Sequence, residues 1–488
     1  MFPAVQLDAS LEAPLYRQLF EKIRELIASR KLAKGERLPA TRELAGLLGL
    51  NRTTVSAAYA LLESEGLIQG HVGRGSFVLG EPEPSGPGLN WERLLPPAGP
   101  AAPQAPPDAI SFASSRPAEE LFPIEAFRET CDEVLRGPGA PAILQLGSPA
   151  GYPPLRHHLL AAAKREGVAR ATDDLMVTSG CQQAMDLLQR VLVRPGDTLL
   201  VEDPVYPGLK NLFQSAGAQL VGVPMGPDGM DVEALERIAA RTAPRVIVTT
   251  PNFQNPTGAT QPPEARRAVL RIARAAGAVL IENDTYGELR YRGEPAAAIK
   301  EIDETGDTVL LRSFSKLTFP GLRVGWVTGP KALIARLIEA KQLADLHTDQ
   351  LSQAALLRFV RSGRLEAHRE RVLAAGAERL NAALEACAKH LPAGTHFTHP
   401  RGGMNLWVRL PDPLDANELL APAHRRGVSY VPGRYFEVSR REPGGLRLCF
   451  AGLKPEKIRQ GLAILGEIFS AELERTRSDR SEPAPALV

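Results

Sequence analysis

Three short strings stand in order in the second half of this 488-residue sequence. They are Asn255-Pro256-Thr257-Gly258, Asp284-Thr285-Tyr286 and Arg312-Ser313-Phe314-Ser315-Lys316. Each alone is weak, but together they describe one chemistry. The Lys316 amine can condense with an aldehyde to give a Schiff base. The Asp284 carboxylate can pair with a protonated pyridine nitrogen and keep an aromatic ring an electron sink. One cofactor, pyridoxal phosphate (PLP), meets both needs. Its phosphate asks for backbone amides at a helix start, plus a cation. Ser179-Gly180-Cys181-Gln182 follows a strand-like run and opens a helical one, so its amides are expected at the carboxyl end of a sheet, where α/β proteins bind ligands. Arg323 supplies a bidentate charge, and Ser313 and Ser315 supply hydroxyls. Tyr286 and Asn255 are suited to share the 3′-oxygen of the ring. Tyr206, in Asp203-Pro204-Val205-Tyr206, is suited to stack on the ring or to pack in a core. Nothing around Cys181 resembles a cysteine/histidine nucleophile pair, so thiol chemistry is not expected there.

These residues need a scaffold, and the surrounding pattern provides one. Leu175–Thr178, Thr198–Val201, Val246–Thr249, Ala278–Ile281 and Val309–Arg312 are short apolar runs, most of them separated by helical stretches. That alternation predicts a largely parallel sheet covered on both faces. From about residue 330 the pattern turns helical. Short strands at Met404–Val408 and Leu446–Phe450 then predict a smaller α/β domain.

The first eighty residues read differently. Leu15, Leu19, Ile23, Leu26 and Ile27 recur at helical spacing. Pro39-Ala40-Thr41 opens a second helix that Gly49 ends, and Asn51 is suited to cap a third that Gly66 stops. Two short apolar segments then flank Gly73-Arg74-Gly75 as a hairpin. Helix, helix, turn, helix, hairpin predicts a winged helix-turn-helix. Early residues of its third helix reach base edges in the major groove. Those are Arg52, Thr53, Thr54 and Ser56. Arg52 can grip a guanine bidentately, while the threonines suit phosphates or thymine methyls. Arg42 is positioned for a phosphate, and Arg74 for a minor groove. Between the two halves, residues 81–108 carry nine prolines, which predicts a semi-rigid linker.

Composition bounds the rest. The chain is too long for one ordinary domain. Its net charge of +2 means that nucleic-acid binding must come from a local patch. Cys131, Cys181, Cys387 and Cys449 form no CxxC pair, which argues against a zinc site and fits a reducing cytoplasm. No apolar run approaches the roughly 20 residues of a membrane span, and no signal peptide is apparent. The expected organisation is a DNA-binding domain over 1–80, a linker over 81–108, a PLP-binding effector domain over 109–470 and a frayed polar tail over 471–488.

Residues 13–79 resemble the head of the GntR superfamily through Leu38-Pro39-Ala40-Thr41-Arg42-Glu43-Leu44-Ala45, Asn51-Arg52-Thr53-Thr54-Val55 and Gly73-Arg74-Gly75-Ser76-Phe77-Val78. Residues from about 110 to 470 resemble fold-type I, class I aminotransferases. Joined by a proline-rich linker, the whole resembles the MocR-type transcriptional regulators. The resemblance implies that Lys316 carries PLP, that Asp284 meets its ring nitrogen, that Asn255 and Tyr286 hold its 3′-oxygen and that Arg323 holds its phosphate. It further implies that Arg447, in Leu446-Arg447-Leu448, grips the carboxylate of a substrate or effector, and that the chain forms a head-to-tail homodimer on a double-stranded DNA operator. One departure stands out: the family often has a tyrosine where Leu146 precedes Gly147, and that tyrosine reaches the partner subunit's cofactor phosphate. The expected function is a PLP-dependent regulator that senses an amino acid or amine. A DNA-tethered aminotransferase and a sensor of PLP itself are the alternatives. The sequence names neither the effector, nor the target genes, nor the sign of regulation.

Overall fold

A computed structural model describes residues 7, 14–71, 75–79, 89, 91–95, 105–439 and 441–481. The chain divides into two compact units, Met1–Ala101 and Ala102–Val488.

In the first unit, α1 (Leu15–Ala28) buries Leu19, Phe20, Ile23 and Ile27 along one stripe. Helix α2 (Thr41–Leu48) begins where Glu43 accepts a hydrogen bond from the Ala40 amide at 3.3 Å. It ends at Gly49, whose φ of 64° suits glycine. Helix α3 (Arg52–Ser64) is capped by Asn51, whose side chain accepts from the Thr53 amide at 3.1 Å. Strands β1 (Ile68–His71) and β2 (Gly75–Val78) pair antiparallel with Ile68 opposite Val78. This is the expected winged helix-turn-helix. Arg74 lies outside the described residues, as does most of the expected linker. The described part of that linker includes a one-turn helix, Trp91–Leu94, with Trp91, Leu94 and Leu95 exposed.

The second unit is α/β. Strand β3 (Ile110–Ser111) pairs in parallel with β14 (Val428–Ser429). The main sheet holds β4 (Asp173–Thr178), β5 (Thr198–Asp203), β6 (Gln219–Gly226), β7 (Gly229–Met230), β8 (Val246–Thr249), β9 (Val279–Asn283), β10 (Val309–Ser313) and β11 (Gly325–Pro330). Their spatial order is β4-β11-β10-β9-β8-β5-β6-β7. The run from β10 to β6 is parallel, whereas β11 is antiparallel to both its neighbours. Side chains alternate between two buried faces. Val201, Val248, Ile281 and Leu311 enter one core, and Leu200, Ile247 and Leu280 enter the other. Burying one such side chain fully is worth roughly 1.5–3 kcal/mol, which fixes the register of every strand.

The sequence reading missed β6, β7 and β11. Strand β6 carries Gly222 and Pro224, and β11 is bounded by Gly325 and Pro330, so both look like loops by residue type. Farther along, β12 (His396–Phe397), β13 (Asn405–Arg409), β15 (Val431–Pro432) and β16 (Gly445–Cys449) form an antiparallel sheet of order β12-β13-β16-β15. It shares a core with the helices Arg364–His390 and Pro455–Ser481. That last helix extends into the residues expected as a tail. It runs to Ser481, with Phe469 and Leu473 buried along it. Among the described residues, no helix is long and apolar enough to cross a membrane.

Candidate functional site

The carboxyl ends of β9 and β10, the loop after β8 and the strand β16 meet around one cavity of about 420 Å³. Of the residues expected to hold a cofactor, Cys181, Gln182, Tyr206, Asn255, Tyr286, Ser313, Ser315, Lys316 and Arg323 line it, and so does Arg447. Ser179, Gly180 and Asp284 do not.

The floor is built from backbone. The helix Gly180–Leu192 starts directly after β4, so its free amides open toward the cavity. Gly180 has a φ of 79°, and a Cβ there would stand 2.4 Å from Arg323 Nη2. Only glycine lets the guanidinium lie over this turn. Arg323 also donates to the Ser179 carbonyl at 3.4 Å and to Ser315 Oγ at 3.5 Å. Ser313 Oγ accepts from the Ser315 amide at 3.0 Å and orients its neighbour. The Ser179 hydroxyl instead turns to Thr348 at 3.3 Å, and the Gln182 amide donates to the Gly208 carbonyl at 3.3 Å. Burial pushes the Cys181 thiol up to about 12, and it lies 3.5 Å from the Arg312 carbonyl, so no thiolate is available there.

The walls come from two places. Lys316 donates to the Ser115 carbonyl at 3.0 Å, and its Nζ lies 5.5 Å from the centre of the Tyr286 ring. Asn255 donates to Tyr286 OH at 3.3 Å, which brings the expected 3′-oxygen partners together. The loop carrying Asn255 is pinned from beneath by Glu202. This carboxyl group accepts from Thr249 Oγ1 at 3.0 Å, the Thr250 amide at 2.7 Å and Gln254 Nε2 at 3.1 Å. Burial pushes Glu202 up to about 7 despite these bonds. Tyr206 is 44% exposed while lining the cavity, so it is free to cover a ring and is not filling the core.

Arg447 is buried, and burial lowers its pKa. One Nη donates to Asn255 Oδ1 at 3.1 Å and the other to the Ala113 carbonyl, while Nε is buried with no partner. Among the described lining residues no carboxylate answers it. The described lining carries four cationic side chains, Arg116, Lys316, Arg323 and Arg447, and no aspartate or glutamate.

The sequence reading missed Ser115, Arg116 and Asn283, all of which line the cavity. Ser115 serves through its carbonyl, which leaves no side-chain signature. Asp284 was expected at the ring nitrogen, but it faces away from the cavity. It accepts from Asn252 Nδ2 at 2.8 Å and from Arg312 Nε at 3.2 Å, and Arg312 also reaches Glu166 at 2.6 Å.

In the first unit, Val55, Ala58, Tyr59 and Leu62 face the core of the head, which leaves Arg52, Thr53 and Ser56 exposed at the start of α3. Thr54 is half-buried, and Arg42 is exposed on α2. Arg37, not singled out from sequence, lies against Gly75 at the wing, where a Cβ would meet its Nε at 3.0 Å.

Comparison with known proteins agrees with both halves. Residues 15–78 match the family described as bacterial regulatory proteins, gntR family, and residues 120–465 match aminotransferase class I and II. Over 98% of its length the chain is 30% identical to the probable rhizopine catabolism regulatory protein MocR of Rhizobium meliloti, covering 99% of that protein. The chain belongs to the MocR-type transcriptional regulators. MocR-type chains join a gntR head to an aminotransferase-like domain, and PLP is the cofactor of that domain's fold. The domain alone is 37% identical to aromatic-amino-acid aminotransferase 1 of Thermococcus litoralis, over 75% of this chain and 89% of that one. It also superposes on the α-aminoadipate aminotransferase of Thermus thermophilus, complexed with N-(5'-phosphopyridoxyl)-L-leucine. The TM-score is 0.71 at 34% identity, over 76% of this chain and 94% of that one.

The cavity of this MocR-type chain fits PLP on its own evidence. A glycine-only turn lies beneath a guanidinium, helix-start amides open beside it, and a half-buried lysine amine shares the space with a phenol–amide pair.

Proposed function

We propose that this regulator senses a small amino acid through the PLP pocket of its second unit and converts binding there into altered DNA binding by its head. One observation carries the reading: four cationic side chains and no carboxylate among the described lining of one cavity. A phosphate and a ligand carboxylate would together answer that surplus. The Gly180–Gln182 turn, Ser315 and Arg323 would hold the phosphate, Asn255 and Tyr286 the ring oxygen, and Tyr206 the ring face. Bound PLP would supply an aldehyde open to amines. Lys316 would hold the aldehyde until an incoming amine displaces it. Arg447, with an unpartnered Nε, would take the carboxylate.

The head would bind a repeated operator, with Arg42 on phosphate and Arg52 on a base edge. We read the active form as a homodimer, arranged head to tail as in its family. Leu144 and Leu146 are 68% and 72% exposed just before Gly147, and a second copy would cover them. The test is a titration of the PLP-loaded chain with a panel of L-amino acids. The readouts are the visible band and the affinity for a DNA fragment selected from a random pool. A ligand that moves both at one concentration supports the reading. Steady turnover with a keto-acid acceptor and no change in DNA affinity would make the chain a DNA-tethered aminotransferase. A response of DNA affinity to PLP alone would make it a cofactor sensor.

A further inference from the structure

We infer that Asn283, and not an acidic residue, meets the ring nitrogen in this pocket, and that this leaves the bound cofactor a weak electron sink. The inference rests on the cofactor reading above and sharpens it: the site would bind amines without processing them.

The argument begins with the pleat of β9. Successive side chains of a strand point to opposite faces. Ile281 packs into the same core as Val309 and Leu311 of β10, whereas Leu280 packs into the other core. Asn283 follows the parity of Ile281, stands opposite Leu311 and lines the cavity together with Ser313. Asp284 takes the opposite parity. It meets Arg312, the β10 residue whose side chain alternates with Ser313, and Asn252 takes its other oxygen. Its charge is thus committed to a cation on the far side of the strand. Asn283 is committed to nothing: its Oδ1 is buried without a hydrogen-bond partner.

A carboxylate beside a pyridine nitrogen favours the protonated ring by opposite charge. An amide brings no charge. Lys316, Arg323, Arg447 and Arg116 line the same space, so another positive charge is disfavoured further. The neutral ring nitrogen can instead accept from Asn283 Nδ2, because which end of the amide faces the ring follows the hydrogen-bond network. An unprotonated ring withdraws electrons poorly, so breaking the Cα–H bond of a bound amino acid is slow. Binding and displacement of Lys316 need no such withdrawal.

The experiment loads the full chain with PLP labelled with nitrogen-15 in the ring and reads that nucleus by NMR. The expected result is an unprotonated ring nitrogen in the natural chain, a protonated one in Asn283→Asp, and no change in Asp284→Asn. With a responsive amino acid, Asn283→Asp should also speed conversion of bound PLP to its amine form, with release of the keto acid, by about ten- to a hundredfold. A protonated ring nitrogen in the natural chain that Asp284→Asn alone converts would overturn the inference while leaving the cofactor reading intact. Failure of the natural chain to take up PLP would overturn both. Should Asp284→Asn fold poorly, a protonated ring in the natural chain is by itself sufficient to reject Asn283 as the neutral partner.

Discussion

Arg447 donates to Asn255 across 192 residues of sequence, from a strand of the small antiparallel sheet to a loop of the large, mostly parallel one. The contact is 3.1 Å long and buried, and Asn255 passes it on to Tyr286 at 3.3 Å. A carboxylate that engages Arg447 therefore competes with the amide that holds the two sheets together at this point. A ligand shifts a conformational equilibrium only by its differential affinity for the two states. This bond is where such a difference can arise.

Arg447→Ala should weaken amino-acid binding by about one to two decades, the worth of a charged bidentate contact. It should also reduce the ligand's influence on DNA affinity, while basal DNA binding persists. Titrations followed by visible absorbance and by DNA mobility measure both. Equal midpoints in the two proteins would make Arg447 structural.

Lys316→Ala should abolish the visible band of the bound cofactor and leave the fold intact, since the lysine is half-buried and its one hydrogen bond goes to a carbonyl. Absorbance and far-ultraviolet circular dichroism on the same sample decide it. An unchanged visible band would remove Lys316 from the site.

In the head, Arg52→Ala should cost about 1–3 kcal/mol on specific DNA and blur the base preference. Arg42→Ala should weaken all sequences alike and flatten the salt dependence. Binding isotherms on selected and random duplexes at several salt concentrations separate the two roles. Identical losses on both duplexes for both variants would contradict the division.

Stability should fall as pH rises from about 5 to 7.5. Burial pushes both Glu202 and Glu282 up to about 7 from an ordinary 4.5. The folded chain therefore holds protons that the unfolded chain has released in that window. A group with a raised folded pKa stabilises fully below its unfolded value and loses that contribution through its folded one. Glu202→Gln should flatten part of the slope, read as Tm against pH. A Tm that rises steadily across this window would refute it.

Most of the pocket was legible because its chemistry resides in side chains at short, ordered spacings. Lys316, Arg323, Asn255 and Tyr286 could be read without a fold. Asp284 was singled out from sequence, whereas Asn283 is the residue that lines the cavity, and the difference has a definite cause. The apolar run of β9 was ended at Ile281, but the strand continues to Asn283, and a slip of one residue on a pleated strand moves a side chain to the other face. A charged residue two positions before a tyrosine drew the assignment, and the pleat puts Asn283 on the cavity side. Ser115 was illegible for another reason: it acts through a carbonyl that any residue could supply. In the head, capping and apolar spacing alone located all three helices, since Asn51 and Gly49 act locally.

The four cations and the absence of a carboxylate among the described lining have a consequence for supply. These four cations repel one another, and an occupied phosphate site relieves that repulsion only in the folded chain. A ligand present at a hundred times its Kd adds about 2.7 kcal/mol to stability. A host short of vitamin B6 would thus hold more of this chain unfolded and open to proteases.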